Sequence, residues 1–246
     1  MPVEPDVLKR ALDGLHGDDA PNIGIELAIQ HIVDAADSVM NVAGTGLMLI
    51  DETQALKYVA ASDEPGQILE VAQEESGEGP CVDSLIHGTI TTCDDLANDE
   101  RYQRLAPIVA PNGVKAVIGI PVHVGGTPAG SFNAYANKPH HWDESEADAL
   151  SAFTRVLEST LDQAIAAHRQ SSVVEQLEFA LENRVTIERA IGLLMGRHDL
   201  DVNTAFNRLR KTARSERRKV KDLAADVLMG APTDWAARPA EQLNSR

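Results

Sequence analysis

VKAVIGIPVHV (114–124), GGTP (125–128) and AGSFNAYAN (129–137) are the stretch on which the fold turns. Two β-rich runs around a Gly-Gly-Thr-Pro turn predict a hairpin, because glycine accepts the positive φ that a tight reversal needs. Upstream, GTGLMLID (44–51) and LKYVAAS (56–62) flank a polar Asp-Glu-Thr-Gln turn and predict a second hairpin. TITTCDD (89–95) is a β-branched run that predicts a further strand. Helices are expected over 23–40, with Leu27, Ile32, Val33 and Val39 inward, and over parts of 68–86, where Gly77, Gly79 and Pro80 interrupt. A short helix is expected within 99–113. This order of hairpins and helices predicts an α+β domain, an antiparallel sheet with helices on its faces.

From Asp143 the character changes, and neither glycine nor proline occurs again until Gly192. Leu150, Phe153, Leu157, Leu161, Ala164, Val174, Leu177, Leu181 and Val185 recur mostly at gaps of three and four, which predicts a long helical stripe. A stripe of that length exceeds what one small domain can bury, and so suggests a parallel coiled coil and a homodimer. His168, Ser171 and Ser172 dilute the seam, and two shorter helices broken there are the other reading. Beyond Gly196, helices are expected over 202–214 and 217–229, with Asp201 and Ser215 as N-caps. Ala205, Leu209 and Ala213 share one face of the first, and Val220, Leu223, Ala224 and Val227 one face of the second. With Ile187, Ile191 and Leu194 they predict a three-helix core, in which Gly192 would admit close approach of a neighbouring helix. The expected divisions are a flexible leader (1–21), an α+β domain (22–165), a helical linker or coiled coil (166–179), a three-helix domain (180–230) and a disordered tail (231–246).

Charge separates these parts. Residues 1–170 carry 9 Lys/Arg against 27 Asp/Glu, net −18, whereas residues 171–231 carry 11 against 9. An acidic front repels nucleic acid, and only the C-terminal part suits phosphate. RLRKTARSERRKVK (208–221) holds eight cations and a single anion, Glu216, where a solvated helix face would alternate in sign. Inward packing of the apolar positions turns Arg208, Lys211, Arg214, Arg217, Arg218 and Lys221 outward, and guanidinium groups so placed suit bidentate phosphate binding and stacking on unpaired bases. No apolar run approaches the ~20 residues of a membrane span, and the N-terminus lacks a secretory pattern, so the cytoplasm is expected.

Three segments carry a resemblance. Arg184-Val-Thr-Ile-Glu-Arg-Ala-Ile-Gly-Leu-Leu-Met195, Asp201-Val-Asn-Thr-Ala-Phe-Asn-Arg-Leu-Arg210 and Ala213-Arg-Ser-Glu-Arg-Arg-Lys-Val-Lys-Asp-Leu-Ala-Ala-Asp-Val227 resemble the ANTAR domain over 180–229 in order and spacing. The resemblance implies a three-helix module, usually dimeric, that binds RNA hairpins in nascent transcripts and acts in antitermination. The expected RNA-contacting set is Arg184, Arg189, Arg208, Arg210, Lys211, Arg214, Ser215, Arg217, Arg218, Lys219 and Lys221. Where that family commonly has lysine, Ile191 stands here, and any contact made by that lysine is absent.

Residues 22–165 resemble the GAF family, most tellingly in Gly79-Pro-Cys-Val-Asp-Ser-Leu85 and Ile118-Gly-Ile-Pro-Val122. That resemblance implies a small-molecule pocket on one side of the sheet. The ligand is not legible: the Asn-Lys-x-x-Phe-Asp-Glu signature of cyclic-nucleotide-binding relatives is missing, and no cysteine stands in the context of bilin attachment. No cofactor is implied. His87, His123, His140 and His141 lack metal-ligand spacing and read as surface or loop residues. Cys81 and Cys93 read as small buried hydrophobes. The alternatives are a DNA-binding regulator that places its basic helices in the major groove, and a methionine sulfoxide reductase that uses the two cysteines.

Overall fold

The computed structural model describes residues 3–15, 24–51, 54–167 and 171–237. It divides into two compact units, residues 1–49 with 56–175, and residues 50–55 with 176–246. In chain order the first part comprises α1 (Pro5–Leu15), α2 (Ile25–Met40), β1 (Gly44–Ile50), β2 (Leu56–Ala61), α3 (Glu64–Ser76), α4 (Pro80–His87), β3 (Thr91–Cys93), α5 (Ala106–Val109), β4 (Ala116–Val124), β5 (Thr127–Ala136) and α6 (Glu144–Ala166).

The sheet runs β2-β1-β5-β4-β3, with antiparallel pairing of β1 to β5, β5 to β4 and β4 to β3. Opposite Val124 stands Thr127, so the reversal is two residues long, Gly125 and Gly126, at φ 56° and 78°. Both central residues sit at positive φ, as the right-handed twist of a two-residue hairpin requires. Thr127 and Pro128, expected in the turn, instead begin β5, and a register shift at Val122/His123 accommodates them.

Alternation along the strands gives the sheet two different faces. Phe132 and Ala134 of β5 and Ile118, Ile120 and Val122 of β4 point to the side packed by α2 and α6. Thr45 on that face donates its hydroxyl to the Val33 carbonyl of α2 at 2.8 Å. Helix α2 buries Ile25, Ile29, Ile32, Val33, Ala36 and Met40, whereas Leu27, expected inward, is exposed and Val39 only half-buried. The opposite face carries Gly46, Gly119, Ser131, Asn133 and Tyr135 and is covered by α3, α4 and α5.

Helix α6 opens with a capping box: Asp143 accepts from the Glu146 amide at 3.0 Å, and Glu146 accepts from the Asp143 amide at 3.0 Å. Its stripe of Leu150, Phe153, Leu157, Leu161 and Ala164 is fully buried against α2 and β4 of its own chain. Each large side chain there contributes roughly 1.5–3 kcal/mol on burial. The expectation that this stripe needs a partner helix is thereby corrected. The helical stretch is also described as two helices: α6 ends at Ala166, and the next begins at Ser172. Within the leader expected to be flexible (1–21), Pro5–Leu15 form α1, which packs its half-buried face on α2 and α6, while residues 1–2 and 16–21 lie outside the described residues.

The second part comprises α7 (Ser172–His198), α8 (Val202–Ser215), α9 (Val220–Leu228) and a 3-10 turn, Asp234–Ala237. Ile187, Ile191 and Leu194 of α7, Ala205, Leu209 and Ala213 of α8, and Val220, Leu223, Ala224 and Val227 of α9 are all buried. Asp201 caps α8, accepting from the Thr204 amide at 2.8 Å. Ser215 does not cap α9: it is the last residue of α8, and its hydroxyl donates to the Thr212 carbonyl at 2.9 Å. Helix α9 starts three residues later than expected, after Lys219, because Arg217 takes a left-handed conformation (φ 53°) that breaks the helical path. Gly192 is exposed, with open space where a Cβ would stand, so no neighbouring helix among the described residues explains it. Within the tail expected to be disordered, residues 231–237 are described and include the 3-10 turn Asp234–Ala237. The rest of that expectation, 238–246, lies outside the described residues.

Candidate nucleic-acid interface and sensor core

The cations expected to meet RNA are placed in three different settings. Arg214, Arg217 and Lys219 are exposed around the α8–α9 corner, and Arg189 is exposed on α7. Arg210 and Lys211 are half-buried on α8, with the Arg210 guanidinium 5.5 Å from the Phe206 ring centroid. Lys219 and Lys221 hold their ammonium groups 4.6 and 4.5 Å from the centroid of the same Phe179 ring, and so tie the start of α9 to α7. Phe179 is missed by the sequence reading; the chain has only four phenylalanines, and one standing just ahead of the Arg184 motif is the signal that was present.

The remaining expected residues have protein partners. Arg184 is buried and its Nε donates to Glu188 Oε1 at 2.8 Å, one helical turn on. Arg218 is held by Asp226 and Glu216. Arg208 donates from Nη1 to the Ala236 carbonyl, while its Nε is buried with no acceptor among the described residues. Ser215 is exposed beside Arg214.

On the α3/α4/α5 face of the sheet lies a cluster that sequence reading does not find, because its members are far apart in the chain. Glu70, Gln73, Ser84, Ser131 and Asn133 are polar and wholly buried, and Cys81 is buried among them. Asn133 Nδ2 donates to Glu70 Oε1 at 2.5 Å, Gln73 Nε2 contacts Cys81 Sγ at 3.0 Å, and Ser84 Oγ lies 2.7 Å from Ser131 Oγ. Asn133 Oδ1 has no partner among the described residues. Gly46 floors the cluster: a Cβ there would collide with the Glu70 carboxyl. Burial pushes the Glu70 carboxyl up to about 8, against the opposing pull of the Asn133 hydrogen bond, so it is neutral at pH 7.

Burial, with the field of Glu70 behind it, raises the Cys81 thiol well above its ordinary range. Burial, and then Asp99, push the Cys93 thiol up to about 12. Neither sulfur is a thiolate at neutral pH, and the thiolate is the nucleophile. The histidines find carboxylates: His123 with Glu158 at 3.3 Å, His140 with Glu146 at 2.9 Å and His141 with Asp94 at 2.7 Å, while His87 is exposed. Among the described residues no cluster has the composition of a metal site. A cleft of about 360 Å³ opens at the end of β1 and β5, lined by Asn41, Val42, Ala43, Ala136, Asn137, His140 and Glu146.

Comparison with known proteins fits both halves. The GAF domain family model matches residues 24–161 and the ANTAR domain model residues 175–228. No curated protein sequence matches the chain. Among solved structures, a GAF domain from a phosphoenolpyruvate-protein phosphotransferase of Coxiella burnetii is 18% identical, covering 67% of this chain and 96% of its own, at TM-score 0.54. A phycoerythrobilin-bound GAF domain from a cyanobacterial phytochrome is 10% identical, covering 68% of this chain and 100% of its own, at TM-score 0.55. Free methionine-R-sulfoxide reductase from Neisseria meningitidis is 16% identical, covering 64% of this chain and 87% of its own, at TM-score 0.51. At these identities the likeness is one of fold.

Proposed function

We propose, since the chain belongs to the GAF family and carries an ANTAR domain behind its GAF domain, that it is a signal-responsive antitermination regulator that binds RNA hairpins in nascent transcripts. The observation that carries this reading is the exposed basic corner of Arg214, Arg217 and Lys219 on the three-helix bundle, in a chain whose first 170 residues are net −18. Arg189, Arg210, Lys211 and Lys221 extend the contact surface. Arg184, tied to Glu188, and Arg218, tied to Asp226, support the bundle instead. Guanidinium groups at a corner engage phosphate by paired hydrogen bonds and stack on unpaired bases, the means by which proteins recognise RNA loops.

The signal is a small molecule taken up by the GAF domain. The buried thiols argue against the reductase chemistry of the Neisseria relative. The protein acts as a homodimer, and any helical seam lies on α7, where Val185 is exposed, rather than on α6, whose stripe is already buried. Among the described residues no helix is long and apolar enough to cross a membrane, in keeping with work on transcripts in the cytoplasm. Competition between a two-hairpin RNA and duplex DNA of equal length at matched salt tests the reading. Preference for the hairpins supports it, and preference for the duplex selects major-groove DNA binding in its place.

A further inference from the structure

The segment that follows α9 lies just beyond the residues matched by the ANTAR model, which end at 228. Gly230 (φ 92°) turns the chain, and the Ala231 amide bonds back to the Asp226 carbonyl at 2.9 Å. The 3-10 turn Asp234–Ala237 then closes through the Ala236 amide to the Thr233 carbonyl at 2.8 Å, burying Thr233 and Ala236. This strap hydrogen-bonds two side chains on different helices. His198 Nε2, at the end of α7, lies 2.7 Å from Thr233 Oγ1, and Arg208 Nη1, on α8, donates to the Ala236 carbonyl.

We propose that the bundle face bearing His198 and Arg208 is a phosphate-binding surface for RNA, and that residues 231–237 occupy it in place of the nucleic-acid backbone. The inference rests on the RNA-binding reading above and adds to it a covered part of the interface. Arg208 shows why the strap is a weak substitute. A neutral carbonyl meets one guanidinium N–H and leaves the buried Nε without an acceptor, which is costly. A phosphate offers two anionic oxygens to the guanidinium edge at once, and charge-assisted pairs of this kind are roughly twice as strong as neutral bonds. RNA therefore displaces the strap when it is present, and the strap shields the cation when it is not. Arg208 lies in the same basic run as the exposed corner, so displacement extends that surface along α8 rather than creating a separate one.

The test uses the full-length chain, the same chain loosened by Thr233→Ala with Ala236→Pro, and Arg208→Ala in each background, titrated with hairpin RNA at fixed salt. Ala236→Pro removes the amide that closes the 3-10 turn and leaves the helices untouched. The loosened chain should bind RNA about three- to tenfold more tightly. Arg208→Ala should cost it about tenfold, the worth of one charge-assisted contact, but should cost the unaltered chain less than twofold, because the same change also frees the strap. A second readout needs no change in the strap: with 5-fluorotryptophan at the two tryptophans, the fluorine signal of Trp235 should move on RNA addition while that of Trp142 stays. If the loosened chain loses its helical signal, the Trp235 signal decides alone. Equal RNA affinities and an unmoved Trp235 signal would overturn the strap proposal while leaving RNA binding in place. Failure of every form to bind RNA would overturn both.

Discussion

Asn133 Nδ2 donates to Glu70 Oε1 across 2.5 Å, and both side chains are wholly buried. Helix α3 thus presents a neutral, hydrogen-bonded acid to Asn133 of β5.

Sensor stability should fall as pH rises. Glu70 titrates at about 8 in the folded protein against 4.5 as an ordinary glutamate. Below 4.5 the acid is protonated in both folded and unfolded chains, and its contribution is fully present. Between 4.5 and 8 the unfolded chain loses the proton first, so stability drains away by an amount on the order of a few kcal/mol. Denaturant midpoints at pH 5, 7 and 9 should show the decline in the natural chain and a flatter profile in Glu70→Gln.

Gly46→Ala should destabilise the GAF domain by about 1–3 kcal/mol, because the new methyl would drive into the Glu70 carboxyl. Pairing it with Glu70→Ala should recover part of the loss, a rescue that thermal melts would register. Additive losses would show that strand geometry, not the contact, makes the position glycine.

Leu157→Asp with Leu161→Asp should unfold the GAF domain instead of separating a dimer. Both side chains are buried within one chain, and two carboxylates there cost on the order of 4 kcal/mol or more. Circular dichroism with sedimentation distinguishes the outcomes: a folded monomer would return the α6 stripe to a dimer seam.

Arg217 separates function from stability. It stands at φ 53°, where a side chain costs about 1 kcal/mol relative to glycine. Arg217→Gly should therefore raise the melting temperature while weakening RNA binding. The double change Arg214→Ala, Arg217→Gly should flatten the salt dependence of binding by roughly 1.4–1.8 in the log–log slope. A stabilised protein with unaltered affinity would remove the corner from the interface.

The hairpin of β4 and β5 was legible because its glycines and β-branched runs are local signals, as were the caps and apolar faces of α8. The fate of the α6 stripe was not, since periodicity shows that Leu157 and Leu161 face inward but not whether α2 or a second chain meets them. Ser215 was misread as a cap for a related reason: its hydroxyl had a nearer acceptor in Thr212, and the turn at Arg217 carries no glycine to announce it. The strap was hidden because Thr233 and Ala236 are small residues flanked by prolines, a composition that also suits a disordered tail. The Glu70–Asn133 pair spans 63 residues, and nothing local in either segment points to the other.

Selection from a randomised RNA pool by the full-length protein tests the central claim most directly, since it assumes no target. The bound fraction should converge on paired hairpins with exposed loops, and Arg214→Ala with Arg217→Ala should abolish the enrichment in a chain that stays folded. A pool that fails to converge, or selected RNAs bound no more tightly than duplex DNA at the same salt, would contradict the assignment of this protein as an RNA-binding regulator.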